Sequence, residues 1–182
     1  MNPSITVRAL GPVACCALSA ASASASTLNG STLQYNYYYP NSATVYAQPS
    51  YLSGTNVTVT GAVEMPSVAN AFSADLTNSQ LIVTMSKAGG WDAVAFNGFL
   101  FDDLTNNLAP IISVTVNPAT TYPGITNAQV VWNADRFGVN WRATSFSQGD
   151  VLILDIVTGV PTPGTAGCFG ICVIVAGTRR RR

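Results

Sequence analysis

The sequence predicts an all-β chain: one antiparallel, jelly-roll-like β-sandwich over residues 26–159, with a signal peptide at 1–25 and a short hydrophobic C-terminal helix within 160–182. Three observations carry this reading. No helical periodicity is sustained over three turns between Ser26 and Gly159. Val57, Val59, Gly61 and Val63 alternate with Thr58, Thr60, Ala62 and Glu64, the period of two that buries one face of a strand and wets the other. Turn-forming residues recur at intervals of about 8–12 positions, the spacing of strands joined by short connections.

The elements follow in order. A strand at 33–39 places Tyr35, Tyr37 and Tyr39 on one face and Tyr38 on the other, and Pro40-Asn41 ends it. A strand at 44–47 precedes the Ser53-Gly54 turn, and 57–64 carries the alternation described above. Strands at 70–76 and 80–86 lead to Gly89-Gly90, read as a turn, and 93–101 runs towards a loop at Asn106-Asn107. Val114 and Val116 flank Thr115 in a strand at 114–116 that Asn117-Pro118 terminates. After Pro123-Gly124 come strands at 128–132 and 137–143 about a turn at 135–138, and Gln148-Gly149-Asp150 introduces the last strand, 151–157.

Composition narrows the function. Hydrophobic residues make up 48% of the 182-residue chain and charged residues only 9%, against about 25% charged in ordinary soluble domains. Ser, Thr, Asn and Gly must supply the polar surface, as in exported proteins. There is no histidine, so the commonest general base and the commonest transition-metal ligand are both missing. The net charge of zero conceals an uneven distribution. Arg8 and Arg179 to Arg182 stand at the ends, leaving Lys87, Arg136 and Arg142 against all eight acids, a balance of −5. Nucleic acid is therefore not an expected partner, since phosphate binding needs a concentrated basic face.

The ends read as processing signals. Arg8 is followed by an Ala-rich apolar stretch, and Ala23-Ser24-Ala25 fits the small-x-small pattern of signal-peptidase cleavage, expected near Ala25. At the other end Val160-Pro161-Thr162-Pro163-Gly164 precedes fourteen apolar or small residues, 165–178, and then Arg179, Arg180, Arg181 and Arg182. Fourteen helical residues span about 21 Å, short of the ~30 Å hydrocarbon core, so flanking residues must complete the crossing. Arginines on the cytoplasmic side place everything upstream outside. Cys15 and Cys16 fall in the leader and Cys168 and Cys172 in the tail, which leaves the domain between them without disulfides and dependent on its core.

This three-part tail resembles the PEP-CTERM sorting signal, with Thr162 in place of the usual central glutamate. The resemblance implies export, an inner-membrane-tethered intermediate, processing by an exosortase, and a final place at the outer surface or in an extracellular matrix rich in exopolysaccharide. A plain C-terminal anchor would put the domain on the same side. A second resemblance runs through Phe96-Asn97-Gly98-Phe99, residues 113–120, Val139-Asn140-Trp141 and Leu154-Asp155-Ile156, which are similar to a recurrent domain of bacterial secreted proteins. It implies location and β architecture, and no catalytic residues.

Candidate sites are few. Asp102-Asp103 are neighbours, and neighbours on a strand point to opposite faces, so they do not form an acid-base pair. A glycosidase would need Glu64, the only glutamate, with an aspartate. Calcium is the better-matched ligand for Asp102, Asp103, Asn106, Asn107 and Asp135, although no EF-hand spacing is present and turn capping and solubility explain the same residues. Tyr35, Tyr37, Tyr38, Tyr39, Tyr46 and Tyr51, with Trp91, Trp132 and Trp141, offer rings that stack on sugar faces, and sheet packing accounts for the same residues through cross-strand contacts. Lys87, the only lysine, reads as part of a turn. No catalytic or cofactor-binding residue is expected. The expectation is an exported surface or matrix protein with a structural or adhesive role, partnered by signal peptidase, exosortase and extracellular polysaccharide; the alternative is a carbohydrate- or calcium-binding module.

Overall fold

Alternating apolar residues lay down two five-stranded antiparallel sheets within residues 27–159, the part of the chain described by the computed structural model. The leader with Ala23 and Ala25, and the tail with Pro161, Thr162, Pro163, Gly164 and Arg179 to Arg182, lie outside the described residues. Twelve strands follow in order: β1 (Thr32–Tyr38), β2 (Thr55–Thr58), β3 (Met65–Val68), β4 (Phe72–Leu76), β5 (Gln80–Met85), β6 (Gly89–Gly90), β7 (Gly98–Asp102), β8 (Ile111–Val116), β9 (Val130–Asn133), β10 (Arg136–Asn140), β11 (Ser145–Phe146) and β12 (Val151–Thr158). One sheet has the order β2-β1-β7-β10-β9 and the other β3-β4-β5-β12-β8, while β6 and β11 form a separate ribbon. Each pairing is antiparallel. The architecture is the β-sandwich that the alternation predicts.

The sheets meet through strictly alternating side chains. Leu33, Tyr35 and Tyr37 of β1, Phe99 and Phe101 of β7, and Phe137 and Val139 of β10 face Phe72 and Leu76 of β4, Leu81 and Val83 of β5, and Leu152 and Leu154 of β12, all buried. Each contributes about 1.5–3 kcal/mol by leaving water. Phe72 stacks on Phe99 across the two sheets with centroids 5.8 Å apart. β7 is buried on both faces, because Tyr38, Phe96 and Leu100 form a second apolar cluster on its outer side.

One group in this core is unsatisfied. The Tyr35 hydroxyl is buried without a hydrogen-bond partner among the described residues, and burial, then the neighbouring hydroxyls of Tyr37 and Tyr51, pushes its pKa well above the ordinary phenol value. An unpaired buried hydroxyl costs about 1–3 kcal/mol. Tyr35→Phe is therefore expected to raise stability by about 1 kcal/mol; an unchanged or lower urea midpoint would show that the hydroxyl has a partner.

Several boundaries differ from the sequence reading. The strand expected at 57–64 ends at Thr58. The Glu64 carboxylate accepts the Thr60 and Leu76 amides, both at 2.7 Å, and folds 59–64 into a turn that leaves Val63 exposed. β3 was not expected; it contains Pro66, which an edge strand tolerates. Only Val45 of 44–47 pairs, bridging to Tyr38, because Asn41 accepts the Ala43 amide and Thr44 hydroxyl and bends the chain. Gly89-Gly90 is a strand, not a turn, and pairs with Ser145 and Phe146. The segment at 93–101 is extended only from Gly98. The turn at 135–138 contracts to Ala134-Asp135, the two residues between β9 and β10.

The sandwich has distinct poles. The chain enters where the Leu28 amide meets the Asn78 carbonyl and leaves where the Gly159 amide meets that of Pro110. Both lie at the Gln80 and Thr158 end of the strands, as the pairings Gln80 with Asp155 and Thr158 with Ile111 show. The eight residues of β12 carry the chain about 26 Å from the other pole.

Candidate functional site

At the pole opposite both flanks, β1 runs into a bent excursion that carries Tyr39, Tyr46 and Tyr51 to the side of the sandwich facing β6. Pro49 starts a short 3-10 turn, Pro49–Tyr51, that sets Tyr51 over Tyr37 with centroids 4.6 Å apart. Tyr46 lies edge-on to both Tyr51, at 4.8 Å, and Tyr39, at 5.4 Å. With Trp91, Asn97 and the β6 ribbon these rings line a cleft of about 460 Å³, a volume in the range of small-molecule sites. Lys87 and Asp92 stand at its rim, both exposed.

The floor is a directed hydrogen-bond chain. Buried Trp141 donates its indole N–H to the Tyr37 hydroxyl at 3.2 Å, and Tyr37 donates to Asn97 Oδ1 at 2.6 Å. Asn97 lines the cleft, and its carboxamide nitrogen, which no acceptor among the described residues engages, remains available as a donor. Trp91 is held from behind: it stacks on Trp141 at 5.0 Å and 6°, and its indole donates to Tyr122 at 3.0 Å. Tyr39 donates to Asp92 Oδ2 at 3.1 Å, while no donor among the described residues reaches Asp92 Oδ1. No hydrogen bond among the described residues occupies the Tyr46 or Tyr51 hydroxyls.

Burial pushes the Tyr37 and Tyr51 hydroxyls above the ordinary phenol range, and the bond to Asp92 does the same for Tyr39. The Asp92 charge reaches all three. These hydroxyls are therefore protonated donors at neutral pH. The cleft combines flat apolar rings with separate donor and acceptor positions.

The aromatics singled out in the sequence divide three ways. Tyr37, Tyr39, Tyr46, Tyr51 and Trp91 come together in the cleft, with Trp141 beneath. Tyr35 belongs to the core and Tyr38 to the outer cluster. Trp132 lies exposed on β9, outside the cleft. Lys87 lies at the rim, in the bend between β5 and β6, and Asp92 had no sequence signal beyond its position after Trp91.

Two of the calcium candidates, Asp102 and Asp103, have their carboxylates engaged within the fold. Asp102 pairs with Arg136 at 2.6 Å. Buried Asp103 accepts the amides of Thr105, Asn107 and Leu108 and the Thr105 hydroxyl, closing its own loop. The Asp103 amide donates to the Asp135 carbonyl at 2.8 Å, and Asn107 Oδ1 accepts the Thr32 amide. Among the described residues no group of three or more His, Cys, Asp or Glu could hold a metal ion.

Glu64 has an aspartate neighbour, because the Met65–Ala74 pairing brings Asp75 alongside it. Both Glu64 oxygens accept backbone amides, which makes it a turn clamp. Burial, then the Glu64 charge, raises the Asp75 pKa above its ordinary 3.8. The folded chain thus holds this proton more tightly than the unfolded chain, and the carboxyl lowers stability as pH rises past that value. Asp75→Asn is expected to stabilise at pH 7 by at most about 1 kcal/mol, since solvent screens a half-exposed group, and to make no difference below pH 3.8. A gain that persists at pH 3 would point to a cause other than ionisation.

No protein-family model, curated protein or solved structure matches the chain. Fold and site together define an all-β sandwich with an aromatic cleft at one pole and Leu28 and Gly159 at the other.

Proposed function

We propose that this is an exported bacterial surface or matrix protein that adheres to extracellular polysaccharide through the tyrosine cleft. The observation that carries the reading is the set of rings of Tyr39, Tyr46, Tyr51 and Trp91 around unclaimed donors and acceptors. A pyranose offers a flat C–H face to such rings and hydroxyls to the polar groups between them. The leader and the arginine-ended tail support export and exosortase processing, and the cleft lies at the pole away from the residue that leads into that tail. A tether at one pole and a binding surface at the other is the arrangement adhesion requires.

Affinity electrophoresis of the purified protein in polysaccharide gels tests the cleft. Tyr46→Ala is expected to weaken retention about tenfold or more, the loss typical of a central aromatic contact; retention equal to the parent removes the cleft from the reading. Mass spectrometry of the mature protein tests the processing. Loss of the tail is expected, and recovery of an intact terminus through Arg182 overturns it.

A further inference from the structure

The polar groups of the cleft discriminate between classes of saccharide. Asp92 carries the only negative charge among the lining residues, and its Oδ2 is fixed by Tyr39 at 3.1 Å while Oδ1 is left to a ligand. That carboxylate stands among the tyrosine hydroxyls, since its charge is felt at Tyr37, Tyr39 and Tyr51. Lys87 is exposed at the rim and forms no ion pair with Asp92 within 4.0 Å, so solvent screens it. A ligand carboxylate or sulfate placed at Asp92 Oδ1 would meet like charge at contact distance, and Lys87, the one cation in the lining, forms no ion pair with Asp92 that would neutralise it there. A sugar hydroxyl donates to Asp92 Oδ1 and accepts from the Asn97 nitrogen, satisfying both.

We infer that the cleft takes a neutral, hydroxyl-rich saccharide, oriented by Asp92 as acceptor and Asn97 as donor, and excludes uronate and sulfated polymers. This rests on the saccharide reading of the cleft. It makes Asp92 a specificity-determining residue, whose charge sets the class of ligand while the rings supply the contact area.

The test compares the full chain, its Asp92→Asn variant and its Tyr46→Ala variant on a panel of immobilised neutral glucans, mannans and galactans beside alginate and a sulfated galactan. The parent is expected to bind a neutral polymer at least tenfold more tightly than either anionic one, with affinity unchanged between low and high salt. Asp92→Asn is expected to lower neutral binding about tenfold and to narrow the gap to alginate, a change of preference that a merely structural defect would not produce. Tighter binding of the parent to an anionic polymer, or an unaltered preference in Asp92→Asn, overturns the inference while Tyr46-dependent binding keeps the saccharide reading. Binding to no polymer, or binding that Tyr46→Ala leaves intact, overturns the reading itself.

Discussion

Gly138→Ala is expected to prevent the sandwich from forming at growth temperature, and Gly98→Ala to do nearly the same. Both glycines lie where β7 and β10 approach most closely: Gly138 pairs with Leu100 and Gly98 with Asn140. A Cβ at Gly138 would overlap the Phe99 carbonyl oxygen and lie 2.8 Å from the Leu100 Cα. A Cβ at Gly98 would overlap the Val139 carbonyl oxygen and lie 2.9 Å from its carbon. The obstructing atoms are backbone, so no rotamer change relieves the overlap and the central strands must separate. Separation would unseat Phe99, Phe101, Phe137 and Val139, all fully buried. A loss above about 3 kcal/mol is expected for each substitution, the upper range of overpacking penalties, or a fall of roughly 10 °C or more in the thermal midpoint. A midpoint within a few degrees of the parent would show that the strands can yield. Gly61→Ala, where a Cβ meets nothing within 4 Å, serves as the control.

Trp141→Ala carries the second large effect, because this residue belongs to the core and to the cleft at once. It is fully buried, with Phe99 at 5.0 Å, Phe72 at 5.2 Å and Trp91 stacked at 5.0 Å. Deleting the indole is expected to destabilise by about 3–5 kcal/mol, read as a lower urea midpoint. It also removes the backing of Trp91 and the donor to Tyr37, so the proposed saccharide binding should fail even where the fold survives in stabilising salt. Trp141→Phe keeps a ring against Phe72 and Phe99 and loses only the indole N–H and some volume. It is expected to retain the fold with a smaller loss, about 1–3 kcal/mol. The exposed Trp132 is the contrast, with Trp132→Ala changing stability by roughly 0.5 kcal/mol. Equal effects at the two tryptophans would contradict the division between core and surface.

The β character of the chain was legible wherever strand periodicity was locally complete. β1, β4, β5 and β12 fall within a residue or two of the expected bounds, because each alternates cleanly and ends at a turn former. Misreadings occurred where a distant partner decides conformation. Val57 to Glu64 alternates correctly, yet Glu64 captures the Leu76 amide from the neighbouring strand and turns the chain. Gly89-Gly90 carries the signature of a turn, but Phe146 lies across it and holds it extended. For Asp102 and Asp103 the sequence offered calcium binding and turn capping alike, and it could not show that Arg136 and the Thr105 to Leu108 loop engage their carboxylates.

The cleft illustrates the same division. Tyr35, Tyr37 and Tyr39 share one face by the period of two, and nothing in their sequence separates them. Along the strand the opposing sheet covers the first completely, leaves the second as a floor and the third as a wall. Composition, periodicity and turn chemistry are local properties, and by themselves they determined an all-β domain without histidine or cysteine and with an acidic balance. Which tyrosine is core and which is site, and that Asp92 and Asn97 stand beside the rings, was decided only by tertiary structure. Burial and hydrogen-bond partnership depend on residues that strand pairing and sheet stacking bring together from far along the chain.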